Sequence, residues 1–189
     1  MTWRTVARNS LFVVLAFGLI AGFAAWRNVV NYPFGRSHCC DKALRFALEN
    51  YAETHGGEFP TGEASPEASL SLLYKAGLAD ANLLRGKSVP ESTVEEILTN
   101  GKLLGPESCG WHYVEGLRKG DDGRIAIFWD KAGLGHNGNL LADGGHIVWY
   151  LNFDHPHIPA AEWPKFLAEQ KELHDQRGQL QTELNNGDR

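Results

Sequence analysis

Cysteine is scarce in this chain, with three in 189 residues, and they form neither a CxxC pair nor a CxxCH run. That leaves no dithiol redox motif and no haem-attachment motif. Positive charge is also short. Eighteen Lys and Arg stand against 23 Asp and Glu, a formal charge of −5, and no basic cluster offsets it. A phosphate backbone needs a positive stripe, so nucleic-acid binding is not expected. Gly-x-Ser-x-Gly, P-loop, His-Glu-x-x-His and Rossmann fingerprints are all missing, and no catalytic signature points toward an enzyme. What the chain does have is a hydrophobic share of 43% and six Trp. Disordered chains are poor in such residues, so one folded domain is expected, with a loose end only at Asn185 to Arg189.

One segment is free of charge altogether. The eighteen residues between Arg8 and Arg27 carry none, and Leu11 to Trp26 is almost wholly apolar. As a helix this run is about 27 Å long, close to the roughly 30 Å of a bilayer core. Snorkelling of Arg8 and Arg27 and an interfacial Trp26 close the difference. We read residues 11–30 as a transmembrane anchor contacting lipid. A signal peptide cut after Gly22-Phe23-Ala24 is the competing reading, and a buried core helix would keep a polar side that this run lacks. Basic residues flank the run on both sides, so orientation rests on size: a tail of about ten residues stays inside. Residues 1–10 are then a cytoplasmic tail in a single-pass inner-membrane protein, with the bulk of the chain periplasmic or otherwise outside the cytoplasm.

Pro33 and Gly35 mark residues 31–37 as a linker. Cys40, Leu44, Ala47, Leu48 and Tyr51 recur at helical spacing until Gly56-Gly57, which predicts an amphipathic helix over 37–54. Ser65-Pro66-Glu67 starts a second helix that Gly77 stops, and Pro90-Glu91 starts a third that ends at Asn100-Gly101. After Pro106 the pattern changes to β-rich runs at 110–117, 124–130, 139–142 and 146–151, separated by turns at 119–123 and at Asp143-Gly144-Gly145. The expected fold is α+β, an amphipathic helix packed on a small antiparallel meander. This globular domain spans 38–158, and residues 159–189 form a C-terminal helix. The stripe of that helix, Phe166, Leu173, Leu180 and Leu184, is interrupted by Gln170, Arg177 and Gly178. Such a stripe suits docking on the domain or on a weak partner helix.

A hydrophobic N-terminal helix, an amphipathic helix ending in NYAETHGGEFP, a variable middle and a terminal HNGNLLADGGHIVWYL segment together resemble the bacterial pseudopilin-like proteins of the type II secretion and type IV pilus group. The likeness is sharpest at His136, Asn139, Leu140, Leu141, Ala142, Asp143, Gly144 and His146. It implies a pilin-like fold, other envelope or pilin-like proteins as partners, a structural Asp143-Gly144 turn, and a non-catalytic role in secretion or surface assembly. The prepilin-peptidase signal is not intact, because Gly22-Phe23 is followed by Ala24, Ala25, Trp26 and Arg27 and the anchor holds no Glu.

No cofactor is expected. Five residues are the weak candidates for a metal: His136, Asp143 and His146, which have zinc-binding chemistry near His155 and His157, and Asp121 and Asp122, whose oxygens suit calcium, an ion some pseudopilin relatives carry in a nearby loop. Their spacing matches no metal signature, and the simpler reading is a turn with surface histidines. The rival class is a periplasmic metal-dependent or thiol enzyme using the His136 to His157 region or the cysteines. Outside the cytoplasm a disulfide is the simpler role for cysteine. Cys40 lies on the apolar stripe with Leu44 and Ala47 while Cys39 points about 100° away, so a Cys40–Cys109 bridge is expected. The structural residues are thus Cys40, Cys109, Asp143, Gly144 and Gly145.

Overall fold

The computed structural model of the chain describes residues 3–32, 41–136 and 138–187. Its first helix, α1 (Trp3–Asn31), contains a stretch, Phe12–Asn31, long and apolar enough to cross a membrane. Phe17, Leu19, Ile20 and Trp26 are all exposed, and the protein covers none of this stretch. A helix that is apolar all round and bare of protein is suited to lipid. At its end the Leu140 N–H donates to the Asn31 carbonyl at 2.9 Å, which satisfies one of the acceptors every helix leaves open. Of the expected linker, 31–37, Asn31 instead ends α1, and residues 33–40, which include the rest of the linker after Tyr32 and both Cys39 and Cys40, lie outside the described residues.

The amphipathic helix is α2 (Asp41–Thr54), with Leu44, Ala47, Leu48, Tyr51 and Ala52 buried along one face. Helix α3 (Pro66–Lys75) begins as its sequence predicts: the Ser65 side chain accepts the Ala68 N–H at 3.2 Å, and Pro66 takes the first turn. A short α4 (Ala81–Leu84), not anticipated, is capped by Asp80, whose carboxylate accepts the Leu83 N–H at 2.8 Å. Helix α5 (Glu91–Thr99) follows Pro90.

Four strands, β1 (Trp111–Tyr113), β2 (Ala126–Asp130), β3 (His146–Tyr150) and β4 (His157–Ile158), form one antiparallel sheet in chain order. The meander is therefore as expected, but its members differ. Residues 139–142 form no strand and contribute a single bridge, Leu134 to Leu140, because the surrounding glycines turn the chain too soon for a ladder. Strand β3 pairs instead with β2, Trp129 opposite Val148, and with β4, His146 opposite Ile158. That fourth strand starts at His157, while His155 and Pro156 before it form no regular structure.

Both faces of the sheet are covered. The α2 face joins Phe59, Trp111, Tyr113, Phe128 and Trp149 in the main core. On the other side α6 (Trp163–Gly187), which follows a single 3-10 turn (Ala160–Glu162), packs Phe166 and Trp163 on Ala126, Trp129 and Val148. A strand buried on both faces reads as a continuous apolar run, as Ala126 to Trp129 of β2 do, and the strand ends on a buried acid, Asp130. The polar interruption in the α6 stripe has a purpose. Gln170 accepts the Ala126 N–H at 2.8 Å and donates to the Arg124 carbonyl at 3.2 Å, beside the irregularity between Ala126 and Phe128 where the β2–β3 register shifts. Arg177 donates to the Gly116 carbonyl and pairs with Asp121 at 2.9 Å. The C-terminal helix thus docks on its own domain.

Candidate functional site: a buried charge cluster

Of the chemistry-bearing groups that the fold brings together, Asp41, Lys87, Asp130 and His136, only His136 was among the candidates named from the sequence. Asp41 is the first residue of α2, yet it is 1% exposed, because it shares the buried stripe with Leu44 and Leu48. Its carboxylate Oδ1 stands 3.0 Å from the Nζ of Lys87, whose side chain is fully buried. The other oxygen, Oδ2, lies 3.0 Å from Nδ1 of His136, whose ring is half exposed. Asp130, 2% exposed at the end of β2, accepts the Lys87 backbone N–H on Oδ2 at 3.2 Å and the Ala132 N–H on Oδ1 at 2.8 Å. Trp111 lies under the ammonium, with Lys87 Nζ 5.5 Å from the ring centre.

Two glycines set this geometry. Gly86 has φ +64, and a Cβ there would come 2.7 Å from the Gly110 backbone. The Gly110 N–H donates to the Arg85 carbonyl at 3.0 Å, and the Lys131 N–H donates to the Gly110 carbonyl at 2.8 Å. Lys87 is thereby held against β1 and β2 by backbone packed on backbone. The electrostatics are costly. Two carboxylates are buried near one ammonium that pairs with Asp41, and burial pushes the Asp130 carboxyl up despite the Lys87 charge, with Asp41 adding to the rise.

The expected metal candidates are dispersed. His136 is bound to Asp41 as described. His146 Nδ1 bonds the Asp130 carbonyl at 2.8 Å and its ring lies on Trp163 at 4.4 Å. Asp143 pairs at the surface with His157 Nε2 at 3.1 Å. Asp121 accepts the Arg118 N–H at 2.8 Å and pairs with Arg177, whereas Asp122 is clasped by Arg124 at 2.6 Å and held down to about 2, chiefly by that side-chain hydrogen bond. His155 stacks on Trp149 at 4.3 Å. Among the described residues, no three His, Cys, Asp or Glu side chains converge to hold a metal ion.

Asp143-Gly144-Gly145 is a turn, with Gly144 at φ +67 and its N–H donating to the Leu141 carbonyl at 3.0 Å. Gly145 is needed for a close approach and not for a positive φ. A Cβ on it would stand 2.2 Å from the Ile158 carbonyl oxygen and 2.6 Å from His157 Nε2, so β4 approaches too closely for any side chain. Cys109 is a free thiol, 1% exposed, that donates to the Leu84 carbonyl at 3.4 Å; its expected partner Cys40 lies outside the described residues. Burial pushes this thiol up to about 12, which leaves it protonated and a poor nucleophile.

A second buried charge serves the scaffold. Arg45 on α2 donates to the Leu151 carbonyl at 2.8 Å, pairs with Glu49, and lies 3.9 Å from the ring centre of Phe153. Phe153 is the one non-glycine residue with positive φ among those described, at +70, so the turn between β3 and β4 is strained to place its ring on the guanidinium. A separate cleft of about 510 Å³ lies between α6 and that turn, lined by Arg124, Tyr150, Asp154, Glu169 and Glu172, and none of the metal candidates borders it. No protein family, curated protein or solved structure matches this chain.

Proposed function

We propose that this chain is a non-catalytic, membrane-anchored envelope protein whose pseudopilin-like domain acts by contacts with other envelope or pilin-like proteins. The observation that carries the reading is the pairing of an uncovered apolar helix with a small helix-on-meander domain, joined where Leu140 donates to Asn31. In this reading the N-terminus is cytoplasmic and the domain lies outside the inner membrane, in a secretion or surface-assembly context. The order of parts, an apolar helix, then an amphipathic helix, then an antiparallel sheet, is the order that the resemblance implies.

Phe46 and Phe153, 50% and 43% exposed with ring centres 6.2 Å apart, form an open aromatic pair suited to such a contact. A photo-crosslinking residue at position 46 in intact cells tests the role. Discrete adducts to envelope proteins, reduced by Phe153→Ser, support it. Stoichiometric zinc or calcium in the purified protein, with no adduct in cells, favours the rival metal enzyme.

A further inference from the structure

The pairing of Lys87 with Asp41 has a feature that an ordinary buried ion pair lacks. The two groups are 3.0 Å apart with side-chain exposures of 0% and 2%, yet among the described residues neither Lys87 Nζ nor Asp41 Oδ1 has an aligned hydrogen bond. A buried ammonium paired with a carboxylate without an aligned hydrogen bond is costly for a fold to hold. Condensation of the two groups would remove both charges at once. The surroundings favour it: Trp111 shields one side, Asp130 fixes the Lys87 backbone, and His136 grips the second Asp41 oxygen while its half-exposed ring reaches solvent.

We propose that Lys87 and Asp41 form an intramolecular isopeptide bond between Nζ and Cγ. The ammonium passes a proton to the Asp41 carboxylate across the 3.0 Å contact, and the neutral amine attacks Cγ of the neutral acid. One C–N bond forms and one C–O bond breaks. The departing oxygen leaves as water with the two protons that the ammonium gives up, and nothing is oxidised or reduced. Fixed proximity of the reacting groups supplies the rate that free amines and carboxylates lack. Asp130 is a positioning residue: it holds the Lys87 backbone, and with its carboxyl pushed toward the neutral form by burial it does not compete as a second ion-pair partner. The bond ties the first residue of α2, where the chain enters the domain from the anchor, to the loop between α4 and α5. Tension arriving through the anchor would meet a covalent staple there.

The test is the intact mass of the full chain, purified in detergent, denatured and reduced. The expected result is a mass one water below that of the sequence, with a branched peptide joining the segments around Asp41 and Lys87. Lys87→Ala and Asp41→Ala should each restore the full mass, and Asp130→Asn should leave a mixture. Full mass for the unaltered protein overturns the proposal, and needs no variant to fold. A water loss that maps to Asp122-Gly123 or Asp143-Gly144, where aspartyl cyclisation gives the same mass change, also overturns it.

Discussion

Gln170 is the sharpest single probe of whether α6 belongs to the domain. Its side chain is 9% exposed and makes two hydrogen bonds to β-sheet backbone, at 2.8 Å to the Ala126 N–H and 3.2 Å to the Arg124 carbonyl. Gln170→Met keeps length and packing but removes both bonds. Ala126 is fully buried, so its N–H then has neither partner nor water, and an orphaned buried donor costs about 1–3 kcal/mol. The Arg124 carbonyl lies nearer solvent and adds little. With a urea m-value of about 2 kcal/mol/M, a loss of roughly 2 kcal/mol moves the unfolding midpoint down by about 1 M. Gln170→Glu keeps the acceptor for Ala126 and should lose less than Met does. Urea titration of the detergent-solubilised chain, followed by Trp fluorescence, reads both. A midpoint for Gln170→Met within about 0.2 M of the parent, with m unchanged, would mean that α6 is not docked as described.

Gly145→Ala should cost more than 1 kcal/mol, about 1–3 as for other overpacked sites, because its Cβ meets the Ile158 carbonyl at 2.2 Å. Asp143→Asn should be near neutral in the same thermal melts; equal losses for both would refute the close-approach argument. Native Cys109 should resist thiol reagents at neutral pH and react fully in denaturant, since burial raises it to about 12; prompt labelling of the folded protein at position 109 would contradict this. Stability should fall in acid in two stages. His112 and His174 are held below their ordinary 6.5, chiefly by burial, so the unfolded chain takes up protons that the fold resists, and stability declines as pH drops below about 6.5. For Glu67, burial alone would raise the carboxyl, but its hydrogen bond with Lys131 holds it below 4.5, and that contribution is lost as pH falls further. Melting curves of His112→Gln with His174→Gln should be flatter through the first stage, and an unchanged slope would count against the assignment.

How much of this was legible in the sequence differs by element. The stripe Leu44, Ala47, Leu48 and Tyr51 gave α2 its buried face directly, since 3.6-residue spacing is a local property. Ser65-Pro66 likewise announced the start of α3. The run at 139–142 misled because its leucines have strand-like character, while the pairing that decides strands is a tertiary fact: β3 found β2 and β4 instead. Gln170 looked like a fault in a stripe, and only the β2 irregularity it satisfies explains it. The charge cluster was missed for a similar reason. Asp41 sits three residues before Leu44 on the buried stripe, and Asp130 directly follows the apolar run Ile125 to Trp129, so an acid on a core face was the available signal. Lys87 carried none, because its burial depends on Gly86 meeting Gly110 from a distant part of the chain.

The central claim, an anchored domain outside the cytoplasm, is tested most directly by fractionating cells and adding protease from outside the inner membrane. The account predicts full-length protein in the membrane fraction, with residues 36–189 digested and a short fragment bearing α1 protected. Full-length protein in the soluble fraction, or membrane-bound protein whose domain resists digestion until the membrane is opened, would contradict it.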